Sequence, residues 1–192
     1  MDKYDSLASV AIIRTDSDTP DYLLEEKTPG YHHEKLVGGI WLIGGSKDQR
    51  HRNFRHIMET ELMEEIPERE EITKEIIRRF KFYRGFELSE PGEHLTGFQG
   101  DYSTVLVAVF ESILPTELAR SVGVSRGTTL AETEGRIQVY GEEDLERLEF
   151  GWGFNQVMER YLSEQCRGKK LKPKLPGTII RAVDIDPEAQ LG

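Results

Sequence analysis

Cysteine is almost absent from this sequence. Cys166 is the single cysteine among 192 residues, so the chain can form no internal disulfide, which fits a reducing compartment. Long apolar runs are also missing, because no stretch approaches the roughly 20 apolar residues that a membrane span requires. The apolar run near the N-terminus is too short for a secretory signal peptide. These absences predict a soluble, cytoplasmic protein.

Positive charge is in deficit as well. The chain carries 25 Lys and Arg against 35 Asp and Glu, and its formal net charge is -10 at pH 7. Nucleic acids and membrane surfaces are polyanionic, so this balance argues against both as partners. It leaves room for a local basic pocket. The length suits one domain with a sizeable core.

The apolar pattern predicts strands that alternate with helices. Strands are predicted at 7–14, 22–26, 40–43, 81–88, 102–110 and 136–140. Helices are predicted at 53–66, 68–80, 114–122, 142–148 and 154–166. Asn53 is a suitable N-cap for the first helix, and Pro67 ends it because proline cannot continue a helix.

The chain is organised around residues 38–65, GGIWLIGGSKDQRHRNFRHIMETELMEE. Two glycine pairs flank a short apolar run, a basic loop follows, and a helical pattern then ends in three glutamates. At about 100° per residue, Glu61 and Glu65 fall within about 20° of Phe54, on the apolar face of the helix. Glu64 borders the same face.

Carboxylates on an apolar face repel one another unless a cation lies among them or protons are taken up. Hard oxygen ligands suit Mg²⁺ or Mn²⁺. The alternative is an ordinary acidic helix end in an acidic protein. The helix dipole disfavours that placement, because the negative end of the dipole lies there.

Residues 61–65, ELMEE, resemble part of the Nudix box, G-x5-E-x7-R-E-U-x-E-E-x-G-U, where U is a bulky aliphatic residue. They match its E-U-x-E-E portion at every specified position. Residues 41–45, WLIGG, are similar to the strand and glycine pair that lead into the box. The resemblance implies an α/β protein with a Nudix-type α/β/α sandwich and a central mixed sheet. It implies a Nudix-like domain at 1–166 and leaves 167–192 as a C-terminal tail or docking extension.

The first half of the box departs from the family pattern. The interval between the second glycine pair and the helix glutamates is one residue longer than the box requires. The first glutamate of the box would fall near His51 or Arg52, and neither is acidic. Thr60 stands where the family has an arginine that orients the glutamates, and Pro67 stands where it has a glycine.

The resemblance implies that Glu61, Glu64 and Glu65 ligate Mg²⁺ or Mn²⁺ and form the catalytic centre. The ion would bridge oxygens of a diphosphate and lower the pKa of a bound water. A carboxylate would accept the proton of that water as it attacks phosphorus, and Glu65 or Glu61 could do so. The candidates for a base from a distal loop are Glu90, Glu93, Asp101, Glu132 and Glu134.

Substrate contacts are predicted from the basic loop and from aromatic residues in loops. Free N–H groups and the dipole favour anions at a helix N-terminus, so the loop could hold phosphate, or it could simply be a solvated loop. Arg50 and Arg52 could also replace the positive charge missing from the box. The predicted substrate-binding residues are Gly44, Gly45, Arg50, Arg52, Tyr31 and Phe98.

Three functions compete. The first is Mg²⁺-dependent hydrolysis of the pyrophosphate of a nucleoside diphosphate linked to another moiety, of the ADP-ribose or nucleotide-sugar type. The second, motivated by the departures from the box, is a catalytically weak or inactive nucleotide-binding sensor or regulator, as in bacterial nucleotide-based defence signalling. The third, RNA-cap hydrolysis, needs a basic face, and the net charge argues against it. The expected partner is a small-molecule nucleotide, and the resemblance implies a homodimer.

Overall fold

A computed structural model describes residues 4–31, 34–66, 70–90, 103–123, 135–151, 153–174 and 178–191. The strands are β1 (Ser6–Thr15), β2 (Asp21–Lys27), β3 (Ile40–Trp41), β4 (Ile43–Ser46), β5 (Lys81–Glu90), β6 (Ser103–Leu114), β7 (Gly135–Gly141), β8 (Glu149–Phe150), β9 (Lys172–Pro173) and β10 (Thr178–Val183). The helices are α1 (Phe54–Glu65), α2 (Glu70–Arg78), α3 (Thr116–Gly123) and α4 (Phe154–Glu164). Across these ranges, no helix has the length and apolar character that a membrane crossing requires.

The strands form one mixed sheet. Their order is β10-β5-β6-β1-β2-β3-β8-β9, with β4 paired to β1 and β7 paired to β2. The centre of the sheet is the parallel pair of β1 and β6, which runs from Ser6 opposite Val105 to Thr15 opposite Leu114. Strand β2 pairs antiparallel with β1, β3 and β7.

Both faces of the sheet are buried, because side chains alternate along each strand. Val10 and Ile12 of β1 point into a cluster that contains the buried face of α4. Ala11 and Ile13 point the other way, into a cluster that contains the buried residues of α1, α2 and α3. The sheet therefore lies between two helical layers, and the predicted α/β/α sandwich with a central mixed sheet is confirmed.

Helix α1 begins and ends where the sequence predicts. The side chain of Asn53 accepts a hydrogen bond from the backbone N–H of His56 at 2.7 Å, as an N-cap does. The hydroxyl of Ser9 donates to the carbonyl of Phe54 at 2.6 Å. This buried bond ties the first turn of α1 to the central strand.

The predicted strand 40–43 is two strands with different neighbours. Ile40 and Trp41 pair with β2, whereas the strand that begins at Ile43 pairs with β1. Gly44 has a φ of +149°, and a Cβ on it would lie 2.1 Å from the carbonyl oxygen of Ser9. Only glycine permits this approach of β4 to β1. The prediction of a single strand at 40–43 was wrong, because a short apolar run does not show where a strand changes its pairing partner.

The segment after α4 returns to the domain. Strand β10 pairs antiparallel with β5 at one edge of the sheet. Beyond it, Leu191 is only 8% exposed and belongs to the core cluster of α1. The assignment of 167–192 to a separate tail or docking extension stays a prediction. The predicted helix 142–148 is reduced to a single 3-10 turn at Leu145–Arg147.

Candidate functional site

The carboxylate of Glu61 lies against the backbone of β4. A Cβ added to Gly45 would lie 2.2 Å from Oε2 of Glu61. A side chain at position 45 would therefore displace this carboxylate. The structure thus brings together two of the residues predicted for the site, and the absence of a side chain on Gly45 gives the Glu61 carboxylate its place.

The three glutamates of α1 that were predicted to bind metal differ in exposure. Glu61 and Glu65 are half-buried, whereas the side chain of Glu64 is 54% exposed. Burial of the carboxyl group and the nearby charge of Glu64 raise the pKa of Glu61. Burial and the charge of Glu25 raise the pKa of Glu65 to about 7. The two carboxylates on the sheet side of α1 are thus partly desolvated and crowded by like charge.

Glu25 is an acidic neighbour of the candidate site that the sequence analysis missed. It lies on β2, is 3% exposed, and accepts a hydrogen bond from Nζ of Lys27 at 2.5 Å. Its carboxylate lies so close to Gly135 on β7 that a Cβ there would stand 2.0 Å from Oε1. One signal was available in the sequence. With a period of two, Glu25 shares the strand face of Leu23, which is buried in the cluster of α1.

The basic loop before α1 contributes one contact to the acidic group. Arg50 donates from Nη1 to Oε1 of Glu64 at 3.0 Å and from Nε to Oδ2 of Asp48 at 2.7 Å. The backbone N–H of Asp48 in turn donates to Nδ1 of His51 at 3.0 Å. The His51 side chain is fully buried, and this burial lowers its pKa. A buried imidazole therefore anchors the turn that directs Arg50 towards Glu64.

Arg52 does not join that cluster through any contact that the structure describes. Its backbone N–H donates to Nδ1 of His56 at 3.3 Å, and its carbonyl accepts from the N–H of Leu191 at 2.7 Å. The N–H of Arg55, in the first turn of α1, donates to the carbonyl of Pro187 at 3.2 Å. The C-terminal segment thus contacts the helix end at which a phosphate was expected.

Of the two aromatic residues predicted to contact the substrate, Tyr31 and Phe98, the structure describes only Tyr31. Tyr31 is 9% exposed, and Nζ of Lys27 lies 4.8 Å from the centre of its ring. Trp41 lies at 6.5 Å from Tyr31, centroid to centroid. Phe98 lies outside the described residues. Four of the candidate distal bases also lie outside the described residues: Glu93, Asp101, Glu132 and Glu134. Of the fifth candidate, Glu90, only the backbone is described.

The donor chemistry suits a divalent ion in part. Carboxylate oxygens are the hard ligands that Mg²⁺ and Mn²⁺ prefer, and a cation would relieve the repulsion between Glu61 and its neighbours. In the part of the chain that the structure describes, no three His, Cys, Asp or Glu side chains converge as a metal cage. Mg²⁺ is usually held by one or two carboxylates together with waters and substrate phosphates. The residues therefore fit an ion that binds together with its substrate.

No protein-family model matches the sequence, and no curated protein matches it. Solved structures do match. A mutT/nudix family protein from Listeria innocua aligns with a TM-score of 0.56 and 17% identity, over 85% of this chain and 96% of that one. The NUDIX domain of Shewanella oneidensis NrtR, complexed with ADP ribose, aligns with a TM-score of 0.58 and 11% identity, over 85% and 90%.

A structure of Shewanella oneidensis NrtR aligns with a TM-score of 0.58 and 10% identity, over 84% of this chain and 64% of that one. At such identities, the agreement concerns the course of the backbone. It coincides with the layer order and the mixed sheet described above. The chain therefore has a Nudix-type fold.

Proposed function

We propose that this protein hydrolyses the pyrophosphate bond of a nucleoside diphosphate linked to another moiety, of the ADP-ribose or nucleotide-sugar type, with Mg²⁺ or Mn²⁺. The observation that carries the proposal is the pair of half-buried carboxylates on the sheet side of α1, Glu61 and Glu65, next to the buried Glu25. Carboxylates that a fold partly withdraws from water despite the repulsion between like charges favour a site that receives a cation.

The residues have separable roles in this proposal. Glu61, seated on Gly45, and Glu64 at the rim hold the metal. The Arg50–Glu64 pair is exposed, so it is weak enough to exchange for a metal ion and a phosphate. When bound, the ion supplies Lewis-acid stabilisation of the diphosphate and a more acidic water.

We assign proton transfer to Glu65. Glu65 lies on the sheet side of α1, and burial and the charge of Glu25 favour uptake of a proton by its carboxylate. An oxygen of the Glu65 carboxylate takes the proton of the attacking water. The water oxygen forms the new bond to phosphorus, and the bond between phosphorus and the bridging oxygen breaks, so that two phosphate esters leave.

Substitution of the two half-buried glutamates tests the proposal. We expect Glu61→Gln and Glu65→Gln each to lower Mg²⁺-dependent turnover of ADP-ribose or nucleotide sugars by at least about 100-fold, the usual contribution of a positioned acid or base. Circular dichroism should show that the fold is retained. Glu71→Gln is the matched control, because Glu71 lies on α2 with 89% of its side chain exposed. Full activity in both site variants would refute the assignment.

One observation favours a second function, a nucleotide-binding sensor or regulator with weak or no turnover. Two of the four carboxylates already have a cationic partner within the chain, Glu25 with Lys27 and Glu64 with Arg50. The site could therefore keep its shape without a metal. Calorimetry with ADP-ribose, NAD, nucleotide sugars and cyclic oligonucleotides, run beside a cleavage assay, separates the two. Tight binding without cleavage supports the sensor.

The homodimer and the cytoplasmic location stay predictions. The mass of the protein in solution, measured by light scattering over a range of concentrations, tests the first. Fractionation of cells that produce the protein tests the second.

A further inference from the structure

His51 is a buried imidazole in the loop before α1, and only one of its two ring nitrogens has a partner. The side chain is fully buried, and Nδ1 lies 3.0 Å from the backbone nitrogen of Asp48 and 3.1 Å from Oδ1 of the same residue. An N–H group can only donate, so Nδ1 accepts and the ring proton belongs on Nε2. Within the described residues, Nε2 has no hydrogen-bond partner. A buried donor without a partner destabilises the folded state, so packing alone would favour an apolar side chain at this position.

The imidazole closes a turn of four residues, 48–51, in which Arg50 is the third. The backbone N–H of His51 donates to the carbonyl of Asp48 at 3.3 Å, and the backbone N–H of Arg50 donates to Oδ1 of Asp48 at 2.7 Å. An aspartate that accepts from the backbone two residues further on is typical of tight turns. With the bond to Nδ1, three hydrogen bonds hold the turn. Asp48 and His51 therefore fix the backbone from which Arg50 projects.

The backbone on both sides of this turn is tied to the domain. The N–H of Lys47 donates to the carbonyl of Leu7 at 2.7 Å. The carbonyl of Arg52 accepts from the N–H of Leu191 at 2.7 Å. Because the flanking backbone is held, the hydrogen bonds within the turn determine the direction in which Arg50 extends.

The side chain of Arg50 ends at the rim of the acidic site. Nη1 donates to Oε1 of Glu64 at 3.0 Å, and Nε donates to Oδ2 of Asp48 at 2.7 Å. The side chains of Arg50 and Glu64 are 60% and 54% exposed, so a ligand from solution can reach the guanidinium. An arginine that is already held in place loses less freedom when it binds an anion, and it therefore binds phosphate more tightly than a mobile one does.

We propose that His51 is a positioning residue for phosphate binding, because its Nδ1 holds the 48–51 turn and thereby presents Arg50 to a phosphate of the substrate. The inference rests on the proposed function, since the phosphate belongs to the nucleotide of that reaction. Arg50 leaves Glu64 and binds the phosphate, and His51 acts only through the backbone of the turn. This role also accounts for a buried ring whose Nε2 has no partner among the described residues.

Affinity for a nucleotide that cannot be cleaved tests the inference without any measurement of turnover. Isothermal titration calorimetry with Mn²⁺ present is run on the full chain. The probe is an ADP-ribose analogue in which a methylene group replaces the oxygen between the two phosphorus atoms. His51→Asn and His51→Leu are the matched variants, because the two side chains are similar in size and only Asn carries an oxygen that can accept from the N–H of Asp48. Arg50→Ala and the double variant Arg50→Ala/His51→Leu complete the set.

We expect His51→Leu and Arg50→Ala each to weaken binding about 10-fold, the usual effect of losing a hydrogen bond to a charged group. His51→Asn should bind within about 3-fold of the wild type, and the double variant should bind as Arg50→Ala does, because coupled residues are not additive.

Three results would refute the inference while the proposed function stands. The first is equal affinity of His51→Asn and His51→Leu. The second is a further loss when His51→Leu is added to Arg50→Ala, and the third is wild-type affinity in Arg50→Ala. If no protein binds the analogue, the wild type included, the proposed function and the inference are both refuted.

His51→Leu removes the acceptor of the Asp48 N–H and is the variant most at risk of poor folding. The wild-type protein provides a measurement that needs no variant to fold. Nitrogen-15 NMR of the imidazole shows which ring nitrogen carries the proton, and that nitrogen is determined by the hydrogen bond of the other. We expect a proton on Nε2 and none on Nδ1 at about pH 7. A proton on Nδ1 refutes the inference.

Discussion

The carboxylate of Glu61 occupies the space in which Gly45 would carry a side chain, with 2.2 Å between Oε2 and the position of a Cβ. The neighbouring glycine differs in what surrounds it. A Cβ on Gly44 would meet the backbone of β1, 2.1 Å from the carbonyl oxygen of Ser9, and Gly44 has a φ of +149°. Gly45 leaves room for the Glu61 side chain, whereas Gly44 allows β4 to approach β1.

Gly45→Ala is expected to impair the site and spare the fold. The Glu61 carboxylate is the mobile end of a side chain, so it can move aside, and we expect the free energy of unfolding to change by less than about 1 kcal/mol. Because the carboxylate leaves its position, Mn²⁺ affinity and turnover should fall at least about 10-fold. Calorimetry and a cleavage assay measure both. Unchanged metal affinity would contradict the role given to Glu61.

Gly44→Ala should show the opposite pattern. Backbone cannot move aside as a side chain can, and the left-handed φ adds strain, so we expect a loss of about 2–4 kcal/mol in the free energy of unfolding. Urea denaturation measures it. A Gly44→Ala variant as stable as Gly45→Ala would contradict the tight β1–β4 approach.

The pKa of Glu65 predicts a dependence of stability on pH. Because its folded-state pKa is about 7 and its ordinary value is 4.5, the folded protein holds a proton that the unfolded chain releases. The associated stability is fully present below about pH 4.5 and is lost as the pH rises through 7. We expect Glu65→Gln to lack this loss, which is on the order of 2 kcal/mol. Urea denaturation in EDTA between pH 5 and about pH 8 provides the measurement.

Mg²⁺ should counteract the same loss. Above about pH 7, the ion favours the charged carboxylates and binds only the folded chain, so it should raise the Tm of the wild type. The rise should be smaller in Glu61→Gln. An identical rise in both proteins would point to metal binding elsewhere.

The Arg50–Glu64 pair is predicted to matter for activity more than for stability. Both side chains are more than half exposed, so Arg50→Ala should change the free energy of unfolding by no more than about 0.5 kcal/mol. We expect turnover to fall several-fold, because the variant lacks the guanidinium that leaves Glu64 to bind a phosphate of the substrate. Arg147→Ala is the control, since Arg147 has an exposed pair with Asp144 and neither residue is among those assigned to the site. Equal effects of both variants on turnover would contradict this role.

The C-terminal segment is predicted to stabilise the loop before α1. Leu191 is buried in the core of α1, and its N–H donates to the carbonyl of Arg52. Leu191→Ala should therefore cost about 2–3 kcal/mol in the free energy of unfolding. Glu188→Gln is the control, because Glu188 pairs with Arg55 while 55% exposed, and it should cost less than about 1 kcal/mol. If Leu191→Ala lowers the free energy of unfolding no more than Glu188→Gln does, the segment contributes little to stability.

Much of the architecture follows from local patterns in the sequence. The apolar runs predict the main strands, and Asn53 predicts the start of α1, because capping depends on residues only three apart. Helical periodicity predicts that Glu61 and Glu65 lie on the apolar side of α1, and the structure has them half-buried there. The metal and catalytic roles of these glutamates are still to be tested.

Tertiary structure decided which residues lie opposite the glutamates of α1. Glu25 lies in a strand whose charged residues could have faced solvent, and the pairing of β2 with β7 places its carboxylate against Gly135. The change of partner within residues 40–46 and the return of Leu191 to α1 are likewise contacts between distant parts of the chain. Periodicity reports which side of an element is apolar. It does not report which distant residue will lie opposite a buried charge, because that depends on the order of strands in the sheet.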